Sequence, residues 1–401
     1  IITCGATHGF LPLMATDEAR RAQISIAVNN YKKHFGRAPR GIWLPECAFV
    51  PGIDALLAEN GITFFILESH GLTQSNPPAR YGTFRPVITP GGVAAFARDL
   101  ESSRQVWSAE IGYPGHPDYR EFYRDCGFDL PYAEVRPYLH ADGVRRNTGL
   151  KFFRITGKVP LDRKEPYVPN WAADRAADHA GNFLFNRQAQ CRYLKQVLGT
   201  TPHITAPYDA ELYGHWWYEG PKFLEMLMRK AACDQDEIRM ITPSEYLQIE
   251  TVHQEVMPCL SSWGANGFFE VWLNDGNDWI YPHLHCAEER MVELCQRFPD
   301  AQGDLKRALN QAARELLLAQ ASDWAFIITT NTSVEYAEKR TRDHIARFNG
   351  IYAQIVENRL EPQWISELEW KDNIFQEIDY RAYMPVDRHP HAGAVYTSDD
   401  D

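Results

Sequence analysis

The 401-residue sequence lacks the features that mark several large classes of protein. It has no apolar run of the length that crosses a membrane and no signal peptide, so we predict neither a membrane partner nor secretion. It has no run of Lys and Arg, and its net charge of −12 argues against a nucleic-acid partner. Its eight Cys form no CxxC pair, which excludes a zinc ribbon and predicts reduced thiols and a cytoplasmic location.

The sequence is rich in aromatic residues, with 11 Trp, 19 Tyr and 20 Phe. We expect most of them to fill a core, for which a hydrophobic fraction of 44% is sufficient. Several Trp instead lie in polar segments, where an exposed ring can stack on the apolar face of a sugar: Trp171, Trp263, Trp272 and Trp279. An acidic surface is compatible with such a neutral substrate.

The N-terminal part has the pattern of a parallel β-α-β unit. Apolar residues at helical spacing predict a helix over residues 16–35, which Gly36 and Pro39 end. Apolar segments at 41–45 and 62–67 predict two strands, and residues 52–60 predict a short helix between them. Because the strands are apolar on both faces, we expect a buried parallel pair.

The remainder alternates between loop-rich and helical segments. Residues 68–105 and 112–150 are rich in Pro and Gly, and we interpret 68–105 as a loop-rich insertion with a functional role. Helices are expected at 183–198 and 221–232, with a short strand at 203–207 between them. From about residue 285 onward, amphipathic patterns predict a helical C-terminal domain.

Two carboxylates directly follow predicted strands. Glu46 follows the strand at 41–45, and Asp209 follows the strand at 203–207 and precedes the aromatic run 216–218, which we expect to be exposed. In α/β barrels, the C-terminal ends of the strands carry the active site. Each residue also has a structural interpretation, because Glu46 could stabilise the start of the next helix and Asp209 could begin a surface helix. The pattern alone leaves both interpretations open.

A pair of carboxylates at strand ends is sufficient for chemistry at a glycosidic bond. One must be ionised to attack the anomeric carbon, and the other must be protonated to donate to the leaving oxygen. A separation of about 5–5.5 Å would predict retention of configuration through a covalent glycosyl-enzyme. The sequence does not determine this distance.

Other segments are candidates for binding. Residues 262–279 combine Gly with Trp263 and Trp272, and Asp323 lies near the end of an amphipathic helix, where it could bind sugar hydroxyls or form a buried network. A metal site at His8 or at His283-Leu-His285 would lack a third nearby ligand, so we predict none.

These segments together resemble glycoside hydrolase family 57. Residues 4–12 are similar to the second conserved region of the family, 41–48 to the third, 206–217 to the fourth, and the segment from Ser262 to the fifth. A counterpart of the first region, a His-Gln-Pro-like motif, is absent from the sequence. Because the sequence also begins without Met inside an apparent strand, we expect the natural N terminus to lie upstream.

The resemblance implies an α/β fold with a (β/α)7-type barrel, lacking its first strands in this chain, a small inserted domain and a helical C-terminal domain. The barrel would comprise residues 1–67 and 106–258, the insertion 68–105, and the C-terminal domain 259–401. The resemblance implies neither a metal nor an organic cofactor.

The resemblance also implies roles for individual residues. Glu46 matches the nucleophile of the family and Asp209 its general acid/base. Substrate contacts are implied, by position in a motif or by residue type, for His8, Arg120, Arg136, Gly143, Trp263, Trp272 and Asp323.

Within the family, the motifs are most similar to those of 1,4-α-glucan (glycogen) branching enzymes. The expected activity is a retaining transglycosylation that cleaves α-1,4 bonds and forms α-1,6 branches in glycogen-type polymers. The partner would be an α-glucan, and we expect a monomer. The alternatives are an α-amylase or 4-α-glucanotransferase of the same family, a non-catalytic glucan-binding protein, and a metal-dependent polysaccharide deacetylase.

Overall fold

The computed structural model describes residues 1–108 and 110–386. The end of the expected C-terminal domain 259–401, from residue 387 onward, lies outside the described residues. The chain divides into two compact units: unit 1 contains residues 1–78, 87–95 and 254 onward, and unit 2 contains residues 79–86 and 96–253. The domain boundaries implied by the resemblance stay a prediction.

Helices and strands are numbered in chain order. The helices are α1 (Asp17–Phe35), α2 (Ile53–Glu59), α3 (Ser69–Thr73), α4 (Leu100–Trp107), α5 (Cys126–Asp129), α6 (Tyr132–Val135), α7 (Pro169–Leu198), α8 (Gly220–Cys233), α9 (Pro243–Ile249), α10 (Ile280–Arg297), α11 (Gly303–Ala319), α12 (Asp323–Thr330), α13 (Val334–Val356) and α14 (Pro362–Lys371). The strands are β1 (Gly41–Trp43), β2 (Phe64–Leu67), β3 (Val87–Ile88) and β4 (Ala94–Ala97).

The four strands form one sheet in the order β1-β2-β4-β3. Strands β1 and β2 are parallel, with Gly41 opposite Phe64, which confirms the predicted β-α-β unit. Strands β3 and β4 are antiparallel and lie within the segment 68–105, which was predicted to be loop-rich. The described residues therefore form a mostly helical α/β fold, and their sheet is not closed into a barrel.

The strand predicted at 203–207 is reduced to a single bridge. Thr205 pairs with Arg98 in a parallel bridge, and the flanking residues form no ladder. Pro202 and Pro207 bracket this segment, and a proline has no N–H to donate to a neighbouring strand. The prediction of a strand at 203–207 was therefore wrong except at this one bridge.

Helix ends follow the local chemistry of the sequence. The Thr16 side chain accepts the N–H of Ala19 at the start of α1, and Gly36, with a φ of 65°, ends it. The predicted helix at 183–198 is the second half of α7, which begins at Pro169. Its first half is buried through Ala172, Ala176 and Ala180, and alanine carries too weak an apolar signal for the pattern to detect.

The C-terminal part of unit 1 is helical, as predicted. Helix α11 packs against α10, α13 and α14, and its central residues are almost all buried. Within the described ranges, no helix combines the length and the apolar character that crossing a membrane requires.

Candidate functional site

Glu46 lies where the chain leaves the C-terminal end of β1, in the 3-10 turn Pro45–Cys47. The φ of Glu46 is 63° and that of Cys47 is 51°, in the left-handed region that residues other than glycine rarely adopt. Such a conformation costs about 1–3 kcal/mol per residue, and it is concentrated at functional sites. The predicted placement of a carboxylate directly after a parallel strand is confirmed.

Three donors surround the carboxylate of Glu46. Trp263 Nε1 donates to Oε2 at 2.6 Å, Ser322 Oγ donates to Oε1 at 3.1 Å, and His8 Nε2 lies 3.2 Å from Oε1. The backbone N–H of Trp263 also donates to the carbonyl oxygen of Glu46 at 2.9 Å. These contacts hold the carboxylate in one orientation. Because the Glu46 side chain is still 15% exposed, a ligand can reach it.

His8 and Ser322 come from two chain segments that bind each other. The N–H of Ser322 donates to the carbonyl oxygen of His8 at 3.2 Å, and Gly9 and Ala321 form an antiparallel bridge. His8 also has a left-handed φ, of 55°. One oxygen of Glu46 is therefore contacted by the N-terminal segment and by the loop between α11 and α12 together.

The sequence predicts that His8 and Trp263 contact the substrate, and it does not identify Ser322 as part of the site. In the structure His8 and Trp263 contact Glu46 directly, and their contact with a substrate stays a prediction. A serine between two helices carries no motif of its own. The only signal was its neighbour Asp323, which the resemblance marked as a glucan contact.

Contacts with Cys4 and Glu46 shift the pKa of His8, and His8 in turn shifts the pKa of Glu46. Burial alone would lower the pKa of His8, but its hydrogen bonds and charge interactions with Cys4 and Glu46 raise it to about 10. Burial alone would raise the pKa of Glu46, but His8, Trp263 and Ser322 lower it. At neutral pH the site therefore holds an imidazolium beside a carboxylate, and an ionised carboxylate is the form that can act as a nucleophile.

Replacing His8 with alanine is expected to raise the pKa of Glu46, because the carboxylate loses a hydrogen bond and a neighbouring positive charge. The acidic limb of the pH profile of kcat/KM should then move to higher pH. Initial rates measured across the acidic range test this. The exposed His34 at the end of α1 supplies the control, because His34→Ala should leave the limb in place.

The same variant should also lose stability in a pH-dependent way. The pKa of His8, about 10 when folded against 6.5 when unfolded, predicts a stabilising contribution that is complete below pH 6.5 and disappears as the pH rises toward 10. The lowered pKa of Glu46 predicts a contribution that is present above pH 4.5 and disappears as the pH falls. A difference in Tm between wild type and His8→Ala that stayed constant from pH 6.5 to 10 would contradict the charged pair.

Asp209 lies in unit 2 and is half-buried. It caps the 3-10 turn Ala210–Leu212, its carbonyl oxygen accepting the N–H of Leu212 at 3.2 Å. Before it, Trp107 Nε1 donates to the carbonyl oxygen of Pro207 at 3.4 Å, and the Tyr208 hydroxyl donates to a carbonyl oxygen of α4 at 3.0 Å. After it, Leu212 enters the core of unit 2. The backbone of Asp209 is thus fixed on both sides.

The aromatic run 216–218 is divided between core and surface. Trp216 and Tyr218 are exposed, as predicted, whereas Trp217 is buried against Tyr119 and Phe223. The expectation of three exposed rings was therefore wrong for Trp217, whose indole fills the core of unit 2. Two rings remain available for stacking on a sugar.

Arg120 lies beside this run. Its guanidinium carbon is 3.8 Å from the centroid of the Tyr218 ring, a cation–π contact, and the backbone N–H of Arg120 donates to Oε1 of Glu219 at 3.1 Å. The buried Glu219 also accepts the hydroxyl of Tyr167 at 2.7 Å. Burial raises the pKa of Glu219, against the lowering effect of these two hydrogen bonds. Arg120 is therefore built into an ordered, partly exposed surface.

Arg136 and Gly143 are neighbours on the surface of unit 2. A β-carbon at Gly143 would lie 3.5 Å from the guanidinium carbon of Arg136, and the Tyr132 hydroxyl donates to the Gly143 carbonyl oxygen at 2.7 Å. The φ of Gly143 is 67°, which by itself favours glycine. Local geometry therefore explains this glycine, and the role of both residues in binding substrate stays a prediction.

Trp272 and Asp323 have opposite surroundings in unit 1. Trp272 is 1% exposed, with its ring stacked on Phe10 at 4.8 Å between centroids, so the prediction that it stacks on a sugar is corrected: it belongs to the core. Its ring also lies against the loop after Trp263, because a β-carbon at Gly264 would be 3.1 Å from it. Asp323 is exposed at the first turn of α12, next to Ser322, rather than at the end of the preceding helix as predicted.

A family model described as "Glycosyl hydrolase family 57" matches residues 1–260, which include Glu46 and Asp209. The chain belongs to glycosyl hydrolase family 57. A second model, described as "1,4-alpha-glucan branching enzyme, C-terminal", matches residues 283–383 and so covers helices α10 to α14.

Two curated relatives of this chain are named as branching enzymes. A 1,4-alpha-glucan branching enzyme of Thermococcus kodakarensis is 36% identical over 417 aligned residues, which cover 96% of this chain and 58% of the relative. A probable 1,4-alpha-glucan branching enzyme of Mycobacterium tuberculosis is 30% identical, over 93% of this chain and 68% of the relative. The chain thus spans about three fifths of the Thermococcus relative.

Solved structures of the family share this fold. The α-amylase AmyC from Thermotoga maritima is 45% identical with a TM-score of 0.90, over 96% of this chain and 73% of that one. The family 57 branching enzyme from Thermococcus kodakarensis, solved with glucose and additives, is 35% identical with a TM-score of 0.84, over 96% of this chain and 72% of that one. Two named activities therefore occur among close structural matches.

One cluster of metal-ligand side chains lies outside this site. Among the described residues, Glu315, His344 and Asp372 place ligand atoms within 4.8 Å of one another. Arg340 Nη2 lies 2.9 Å from His344 Nε2, and Arg347 Nη1 lies 2.7 Å from an oxygen of Asp372. Two guanidinium groups thus already supply the positive charge that a cation would bring, so we interpret the cluster as an ion network between helices. His285, of the segment His283-Leu-His285 where no metal site was predicted, contacts the carbonyl oxygen of Leu13 at 2.9 Å.

Proposed function

We propose that this chain is a 1,4-α-glucan branching enzyme that works by retaining transglycosylation. The observation that carries the proposal is the environment of Glu46: an ionised, oriented and partly exposed carboxylate on a strand end, contacted by His8, Trp263 and Ser322. The names of the curated relatives and the branching-enzyme C-terminal model support the choice of activity.

In the first step, a Glu46 oxygen attacks the anomeric carbon of an α-1,4-linked glucan while Asp209 protonates the departing glycosidic oxygen. This breaks the α-1,4 bond and forms a covalent glycosyl-enzyme. The donors around Glu46 hold the carboxylate at one angle, so little reorganisation is needed at the moment of attack. They also lower its basicity, which later makes it a better leaving group.

In the second step, Asp209 acts as the base and removes the proton from the 6-hydroxyl of an acceptor glucan. That oxygen attacks the same anomeric carbon, and Glu46 leaves as the free carboxylate. Two displacements restore the original configuration and create an α-1,6 bond. Transfer exceeds hydrolysis only if the acceptor is held in place and water is kept out.

Several finer assignments are part of this proposal. Substrate contacts are proposed for the exposed or partly exposed residues His8, Arg120, Arg136, Gly143, Trp263 and Asp323. The sheet is proposed to be part of a (β/α)7-type barrel, supported by the bridges Thr3–Ile42 and Arg98–Thr205, which continue the strand pattern. We retain as proposals the boundaries 1–67 with 106–258, 68–105 and 259–401, an α-glucan partner, a monomer and a cytoplasmic location.

The second candidate is an α-amylase. It is favoured by one observation, the similarity to AmyC, which exceeds the similarity to the Thermococcus branching enzyme in both identity and TM-score. The two activities share the glycosyl-enzyme and differ only in its acceptor, which is water in one case and a glucan hydroxyl in the other.

Amylose incubated with the full-length protein is expected to acquire α-1,6 linkages without a matching rise in reducing ends. Each branching event opens one bond and closes another, whereas hydrolysis creates a new reducing end every time. The measurements are proton NMR of the anomeric region, chain lengths after enzymatic debranching, and a reducing-end assay on the same samples.

Each other outcome supports a different activity. Rising reducing ends with no α-1,6 signal would support the amylase, and altered chain lengths with neither change would support a 4-α-glucanotransferase. Binding of amylose with no turnover would support a glucan-binding protein. Amylose incubated with a Glu46→Gln variant is the matched blank.

A further inference from the structure

Next to the segments that contact Glu46 lies a cluster of buried and half-buried polar side chains that the proposed chemistry does not use directly. We call Thr7, Gln23, Glu288 and Gln320 the buried amide network. Gln23 and Glu288 are 0% exposed and Gln320 is 4% exposed. Burying a polar group costs folding free energy unless it makes hydrogen bonds, so the hydrogen bonds of these side chains indicate what holds them in place.

The hydrogen bonds of the network are mutually satisfied. Gln320 Nε2 donates to Glu288 Oε1 at 2.9 Å, and Gln23 Nε2 donates to Gln320 Oε1 at 3.2 Å. Gln23 Nε2 also donates to Thr7 Oγ1 at 2.9 Å, and the N–H of Thr7 donates to Gln23 Oε1 at 3.1 Å. The second oxygen of Glu288 accepts two backbone N–H groups at the start of α1, at 2.8 and 3.1 Å.

The network joins the two segments that contact the Glu46 carboxylate. Thr7 immediately precedes His8, and Gln320 stands two residues before Ser322. The two segments also pair through the bridge between Gly9 and Ala321. The carboxamides of Gln23 and Gln320 therefore hydrogen-bond both segments to helices α1 and α10. His8 and Ser322, from the same two segments, contact one oxygen of Glu46.

We propose that Gln320 and Gln23 are positioning residues for the nucleophile. They act through Thr7, His8 and Ser322, without touching the substrate, and keep the two donors at a fixed angle to Glu46 Oε1. The inference rests on the proposed function, because it assumes that Glu46 attacks the sugar. Residues that hold a catalytic group in place affect kcat, because displacing a reacting atom by about 1 Å removes most of the rate enhancement that correct positioning provides.

The test compares Gln320→Met with Gln311→Met. Gln311 is a suitable control because it lies on α11, which Gln320 directly follows, and is 0% exposed. It is also hydrogen-bonded, but to Glu315, Leu368 and Arg314 instead of the site. Both variants should lower Tm by a comparable amount, roughly 2–8 °C. Well below both Tm values, kcat on amylose should fall roughly 10–100-fold for Gln320→Met and by less than about twofold for Gln311→Met.

Further readouts separate positioning from general destabilisation. KM should stay within about twofold of wild type in Gln320→Met, and the rate at which a fluorinated glucosyl donor labels Glu46 should fall in parallel with kcat. If Gln320→Met does not fold, Thr7→Val decides instead, with roughly a 3–10-fold loss of kcat expected. Its control is Thr341→Val, because Thr341 is a buried threonine of α13 whose hydroxyl donates to the carbonyl oxygen of Ala337 in the same helix.

The outcomes are distinct. Equal kcat values for Gln320→Met and Gln311→Met, or for the two threonine variants, would overturn the positioning role while leaving the proposed function intact. A wild-type protein that is never labelled at Glu46 and turns over no glucan would overturn the proposed function, and the positioning role with it.

Discussion

A Glu46→Gln variant is expected to lose at least about 10³-fold in kcat on amylose and to form no glycosyl-enzyme. Glutamine has nearly the same shape as glutamate, but its amide nitrogen carries no charge and is not nucleophilic. The three donors around position 46 were arranged for an anion, so an amide group must turn an N–H toward Trp263 Nε1 or toward His8 and Ser322. The variant therefore loses both the reacting atom and part of its hydrogen bonding.

The measurements for this variant are steady-state rates and intact mass after exposure to a fluorinated glucosyl donor that slows the second step. Wild type should gain the mass of one glycosyl group, located on the peptide that contains Glu46. Glu59→Gln is a suitable control, since Glu59 is an exposed carboxylate at the end of α2. Near-normal turnover by Glu46→Gln would remove Glu46 from the mechanism.

An Asp209→Asn variant is expected to lose about 10²–10⁴-fold on natural glucan, yet to keep its first step on substrates with an activated aryl leaving group. A glucan hydroxyl is a poor leaving group and needs the proton from Asp209, whereas a nitrophenolate departs without it. The second step still needs a base, so glycosyl-enzyme should accumulate after a burst of nitrophenol. This pattern separates a general acid/base from a residue that only binds sugar.

Stopped-flow release of nitrophenol and mass analysis of the accumulated intermediate test this expectation. Glu211→Gln is the matched control, because Glu211 is an exposed carboxylate in the same turn as Asp209. Equal losses on natural and activated substrates would show that Asp209 does not transfer the proton.

Local secondary structure was largely predictable. Helix α1 carries its signals in sequence, with Thr16 at its start and Gly36 at its end, and strands β1 and β2 are short apolar runs. The sequence pattern did not predict the first half of α7, nor that residues 203–207 form a single bridge instead of a strand. Alanine packing and strand pairing depend on what lies opposite, which a single segment does not specify.

The sequence by itself singled out two candidate carboxylates: Glu46 after a parallel strand and Asp209 before an aromatic run, each inside a recognisable family motif. Only the tertiary structure decided what surrounds Glu46. Ser322 and the amides of Gln23 and Gln320 are far from residue 46 along the chain, and no spacing rule relates them to it. It also decided that Trp272 fills the core while Trp263 reaches the carboxylate. Both are tryptophans in one motif, and burial depends on packing between distant segments, so the local pattern could not separate them.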